Sequence, residues 1–247
     1  MYRCFCALVL AGAALAADWR KDAVFRATFD GSLDARIAKG DPKIYAAPAY
    51  KEQAAAQPGL DGSDIVRHAK GEGRSGDALR FTKKNTRALF YKGQGNVPFD
   101  PKNWSGTISY WLQLDPEQDL EPGFCDPIQV TDKAFNDSAI WTDFTKDDKP
   151  RHFRLGVFGA LASWNPSNLA PDKNPDFNNR LVVVKRSPFG RGRWTHVAIA
   201  YTGLGSGAGE AKLYLDGKLQ GVTPKSRNRS AGISPKAPSG WESITSA

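Results

Sequence analysis

Three cysteines, three histidines and one methionine are all that a chain of 247 residues supplies of the reactive or soft side chains. Cys4 and Cys6 stand near the start, so Cys125 is alone in the body of the chain and no internal disulfide can close there. Stability must come from an apolar core, which a chain of this length can build. His68, His152 and His196 show no metal-ligand spacing, and the sequence has no Gly-x-Ser-x-Gly elbow, glycine-rich phosphate loop or Cys-x-x-Cys. These absences remove the best-marked hydrolase and nucleotide-binding sites. The net charge of +8 is not gathered into an RNP-type aromatic run, zinc-finger spacing or a basic helix, so nucleic acid is not an expected partner.

Long apolar runs are also scarce. The one continuous stretch follows Arg3, from Cys4 to Ala17, and ends in Ala14-Leu15-Ala16. A membrane-spanning helix needs about 20 apolar residues. A positive charge, a short apolar run and a small-x-small site predict instead a signal peptide over residues 1–17, cut after Ala16 or Ala17. The expected destination is outside the cytoplasm, whether secreted, periplasmic or at the cell surface, with no membrane span after cleavage. Residues 18–221 then read as one domain and 222–247 as a basic tail rich in Pro and Ser.

Gly and Pro are plentiful, at 24 and 16, and the apolar residues alternate rather than recur at three and four, which predicts an all-β chain. Ala23 to Phe29 reads as a strand, followed to about Ser75 by a long loop with one short strand near Asp64 to His68. Strands are then predicted at Ala78–Thr82, Ala88–Lys92, Gly106–Leu114, Ile128–Thr131, Ala139–Phe144, His152–Phe158, Arg180–Lys185, Arg193–Tyr201 and Ala211–Leu215. Asp216-Gly217 offers a tight hairpin turn into Lys218-Leu219-Gln220. Regular short strands between turn residues predict a two-sheet antiparallel β-sandwich.

The order "FRATFDGSLDA", "GDALRF", "GTISYWLQLD", "GRWTHVAIAYTG" and "KLYLDGKLQG" resembles the laminin-G-like, concanavalin-A-like jelly rolls, over about residues 22–221. The resemblance implies two face-to-face antiparallel sheets, and a fold shared by glycan-binding modules, adhesion domains and glycoside hydrolases. It also makes His196 a packed core residue, with Trp111 and Trp194 as the core pair. Such domains usually close with a strand resembling "G-x-I-D-E-V" near the first strand. Residues 222–247 contain no such phrase, so that closing strand is expected to be missing, leaving Ala23–Phe29 unpaired or served by the tail.

Three sets of residues are candidates for chemistry. Glu117, Asp119 and Glu121 have the E-x-D-x-E spacing of laminarinase-like hydrolases, which on a strand points three carboxylates one way. Pro116 and Pro122 bracket them, which favours a solvated loop and no catalysis. Trp164, with its neighbour Asn165, lies in a long polar loop suited to ligand contact, and Trp141 is a second candidate ring. Asp126 and Asp143 belong to an acidic stretch that is a weak candidate for calcium, which needs six to eight converging oxygens. Cys125 reads as a small buried filler. The leading expectation is an exported, non-catalytic module that binds a glycan or an extracellular protein surface and needs no cofactor. The alternatives are a laminarinase-like glycoside hydrolase and a structural module of a larger cell-surface assembly.

Overall fold

A computed structural model describes residues 19–223 and the backbone of 243–246. The predicted signal peptide, its cleavage site and residues 224–242 of the tail lie outside the described residues. Short strands come first: β1 (Phe25–Arg26), β2 (Ile37–Ala38), β3 (Ile44–Ala47) and β4 (Gln57–Pro58). β5 (Val66–Ala69) and β6 (Ala78–Phe81) pair with each other, and β7 (Ala88–Lys92) precedes the longer β8 (Trp104–Leu112). β9 (Cys125–Thr131), β10 (Ala139–Phe144), β11 (Phe153–Phe158) and β12 (Leu181–Val184) form a meander. β13 (Thr195–Leu204), β14 (Glu210–Leu215) and β15 (Lys218–Val222) form another, and β16 (Ser243–Ser246) stands near the chain end.

The chain is all-β, and its two main sheets are antiparallel and face each other as a sandwich. One has the order β12-β11-β10-β9-β16-β7-β3-β4, the other β15-β14-β13-β8. Alternation explains the packing between them, because every second side chain of a strand points to the same face. Ile140, Phe144 and Leu155 of the large sheet meet Val197, Ile199 and Leu213 of the small one in a shared core. Tyr110 of β8 and Thr142 of β10 also share a hydrogen bond across the interface, 2.6 Å between oxygens. Burial pushes the Tyr110 hydroxyl well above its usual pKa, so it stays protonated. Among the described residues no helix is long and apolar enough to cross a membrane.

The N-terminal third differs from the sequence expectation. Ala23–Phe29 forms only the two-residue β1, which pairs with β2, and Phe29 ends it with a positive φ of 62°. β3, inside the expected loop, is a real strand between β4 and β7, with Ile44 and Ala47 almost wholly buried. Its Ala-rich sequence hid it, since alanine carries little β preference. The tail also supplies a strand: β16 lies between β7 and β9, not beside the first strand.

Tryptophan placement differs too. The core tryptophan of the small sheet is Trp104, 2% exposed and packed on Phe99 and Tyr201. Trp194 is only half-buried. Trp111 is 41% exposed on the outer face, beside His196 on the neighbouring strand (ring centres 4.8 Å apart) and under the Arg74 guanidinium at 3.9 Å. His196 is therefore an outer-face residue. The register decides this: Ile108, Tyr110 and Leu112 take the inner face of β8, which puts Trp111 outside.

Candidate functional site

The loop between β8 and β9 carries Glu117, Asp119 and Glu121, and it engages each with a different partner. Glu117 accepts the backbone N–H of Arg151 at 2.6 Å, and Glu121 accepts that of Lys84 at 2.9 Å. Asp119 accepts the Arg191 Nε at 2.7 Å and the backbone N–H of Asp115 at 2.7 Å. The Arg191 guanidinium, foremost, holds the Asp119 carboxyl below its ordinary pKa. These carboxylates tie three segments together and do not converge. Arg151 completes the latch by donating through Nη1 to the carbonyl of Gly123 and through Nη2 to that of Glu121, both at 2.9 Å.

That latch leads into the start of β9, where Cys125 packs into the inter-sheet core while Phe124 and Asp126 on either side of it take the outer face of the large sheet. Alternation puts Ile140, Thr142 and Phe144 of β10 inward, so Trp141 and Asp143 face out. Asp143 pairs directly with Arg154 of β11, and Trp141 with Gly156. A register shift in β9 opposite Asp143, between the pairs made by Thr142 and Phe144, brings in Asp126. Asp126, Asp143 and Arg154 thus come from three adjacent strands.

Asp143 grips Arg154 with both carboxylate oxygens, accepting from Nε at 2.8 Å and from Nη2. The guanidinium lies between two rings, 5.2 Å from the centre of Phe124 and 5.7 Å from that of Trp141. A Cβ at position 156 would overlap the Trp141 indole, so glycine is what lets the ring lie flat on β11. Phe124, 48% exposed, caps the stack on the solvent side.

Asp126 is the unsatisfied member. It is half-buried, and among the described residues its carboxyl accepts no hydrogen bond. Burial, and then the charge of Asp143, push its pKa from the ordinary 3.8 to about 6, against the pull of Arg154. Burial also raises Asp143, with Arg154 opposing. Cys125 next to them is half-buried, and burial followed by the Asp126 charge pushes its thiol up to about 11, away from thiolate chemistry.

Trp164, Asn165 and Trp141, the ligand contacts expected from the sequence, are all buried from solvent. Trp164 is 5% exposed, donates its indole N–H to the carbonyl of Asn136 at 2.9 Å, and packs on Phe158 and Phe177. Trp141 is 3% exposed, stacked on Phe158, with its N–H donated to the carbonyl of Phe135. Asn165 spends its side-chain amide on Leu169, giving to its carbonyl and accepting from its N–H, which shapes the loop from within. The segment expected to reach out to a ligand instead folds down over β10–β12 as an apolar lid of short helices, Leu161–Trp164 and Pro175–Asn178. Of the two calcium candidates, Asp143 is committed to Arg154, and among the described residues no group of three His, Cys, Asp or Glu side chains is placed to hold a metal ion.

Sequence reasoning named Asp126 and Asp143 as calcium candidates and Trp141 as a ligand-contact ring, and the fold unites the three through Arg154 and Phe124, which it passed over. The alternating His152–Phe158 pattern did contain the signal, since it puts Arg154 on the face opposite Phe153 and Leu155. Compared with models of protein families, with curated proteins and with solved structures, the chain matches none.

Proposed function

We propose that this chain is an exported, non-catalytic recognition module of the laminin-G-like, concanavalin-A-like kind, and that it binds a glycan at Phe124, Asp126 and Arg154. The observation that carries the reading is Asp126: a half-buried acceptor without a hydrogen-bond partner among the described residues, near an arginine that lies against an exposed ring. Asp143 takes two of the five N–H groups of Arg154, leaving donors beside the open acceptor. A sugar presents neighbouring hydroxyls that both give and accept hydrogen bonds, and a C–H face that packs on an aromatic ring. Few polar groups fixed next to apolar surface are the general make-up of a small-ligand site. Separation of Glu117, Asp119 and Glu121 onto three partners favours binding over hydrolysis.

A printed glycan array tests this with the parent protein, Phe124→Ala and Asp126→Ala. The expected result is selective retention by the parent, weakened at least tenfold in both variants. No retained glycan, or equal retention by all three proteins, would sink the reading. Release of reducing ends from a retained β-glucan would move the protein to the hydrolases.

A further inference from the structure

The large sheet is completed by a strand only four residues long. β16 runs antiparallel to β7 on one side, with Ile244 opposite Tyr91 and Thr245 opposite Phe90. On the other side it runs antiparallel to β9, with Ile244 opposite Val130 and Thr245 opposite Gln129. β7 and β9 are consequently parallel to each other and separated by the width of one inserted strand, roughly 10 Å. They cannot pair directly without closing that distance, so the gap between them is a slot bordered by backbone donors and acceptors on both walls. Such a slot is satisfied by extended backbone, whichever molecule provides it.

The preceding described residue, Thr223, follows β15, at the edge of the other sheet. The nineteen residues 224–242 that join it to β16 can extend to roughly 65 Å. A compact chain of this size has a radius of gyration of only about 17 Å. The connection is therefore long enough to reach the slot of an adjacent molecule as well as its own. Ser243 pairs with Lys92 across some 150 positions of sequence, the sort of contact that forms late in folding, while the slot stands open.

We propose that the slot between β7 and β9 is a strand-acceptor site whose partner is residues 243–246 of a second copy of this chain, giving a reciprocal strand-exchanged dimer. The strand contacts are the same in the closed monomer and in the dimer, so chain concentration during folding selects between them. A tether of this length acts at about millimolar effective concentration, so exchange grows as folding concentration approaches that range.

Two single variants test the proposal in the full chain, with Cys4, Cys6 and Cys125 replaced by Ala. One carries Gln129→Cys and the other Thr245→Cys, at directly opposed positions of β9 and β16. Refolded together at rising concentration and oxidised, they should give a heterodimer whose mapped disulfide joins 129 to 245. Variants folded apart and then mixed should give little of it. The double variant, folded dilute, should close the same bond within one chain. If it does so while the mixture gives no 129–245 heterodimer at any concentration, the strand seats only in its own chain and the proposal fails. If the double variant closes no bond, the slot is not filled by this strand and the proposal fails equally.

Discussion

Asp143 and Arg154 face each other at paired positions of β10 and β11 and share a two-pronged ion pair whose side chains are 5% and 15% exposed. Their desolvation makes the pair an all-or-none feature. Removing one partner strands a buried charge, at a cost of roughly 3 to 5 kcal/mol, whereas replacing both with apolar groups is often neutral. Asp143→Leu and Arg154→Met should each lower the denaturation midpoint sharply, and the double variant should recover most of the loss. Additive losses in chemical denaturation would show that the two side chains act independently.

Asp126 gives a stability signature of opposite sense to an ordinary carboxylate. Its folded pKa, about 6, lies above the ordinary 3.8, so the folded state holds its proton more tightly than the unfolded chain. Its favourable contribution is complete below about pH 4 and is lost as pH rises through 6. Asp126→Asn mimics the protonated form and should stabilise the protein at pH 8, by on the order of 2 kcal/mol, but not at pH 4. Thermal melts at the two pH values measure this, and a constant difference would contradict the assignment.

Trp104, Trp164 and Trp111 should separate by burial. Trp104→Ala and Trp164→Ala each remove a ring that is 5% exposed or less, a loss that costs roughly 3 to 5 kcal/mol in a core. Trp111→Ala removes a ring that solvent already reaches and should cost under about 1 kcal/mol. Urea midpoints decide the order, and equal losses for all three would mean that the outer face of β8 is covered.

How far the sequence reaches is visible in these side chains. Strands such as Ala139–Phe144 and Ala88–Lys92 were legible to the residue, because alternation and flanking turn residues act within one segment. The two faces of a strand such as β8, with aromatics on both, are not separable by pattern, and only the register with β13 shows that Trp111 points outward. Trp164 reads as free because its loop is polar; of the rings that bury it, Phe158 ends a strand whose pattern does not show which loop folds over it, and Phe177 is masked by Asp176 and Asn178. The site was legible as separate acidic and aromatic residues. Its assembly depends on a register shift in β9 that no local pattern announces.

Gly156→Ala probes the floor of the site without touching a polar group. The added methyl overlaps the Trp141 indole and must displace it from β11, a kind of overpacking that costs roughly 1 to 3 kcal/mol. Glycan retention should fall together with a shift in tryptophan emission. Unchanged emission and retention would show that the ring does not set the position of Arg154.

If the ionised Asp126 accepts a hydrogen bond from the ligand, affinity for the tightest neutral glycan on the array, measured by calorimetry from pH 5 to pH 8, must follow the ionisation of that carboxyl. With a pKa of about 6, roughly a tenth of Asp126 is ionised at pH 5 and nearly all at pH 8. The parent should bind about tenfold more tightly at pH 8 than at pH 5, with the change centred near 6, and Asp126→Asn should bind weakly with no such dependence. A flat profile in the parent, or the same profile in the variant, would contradict the site.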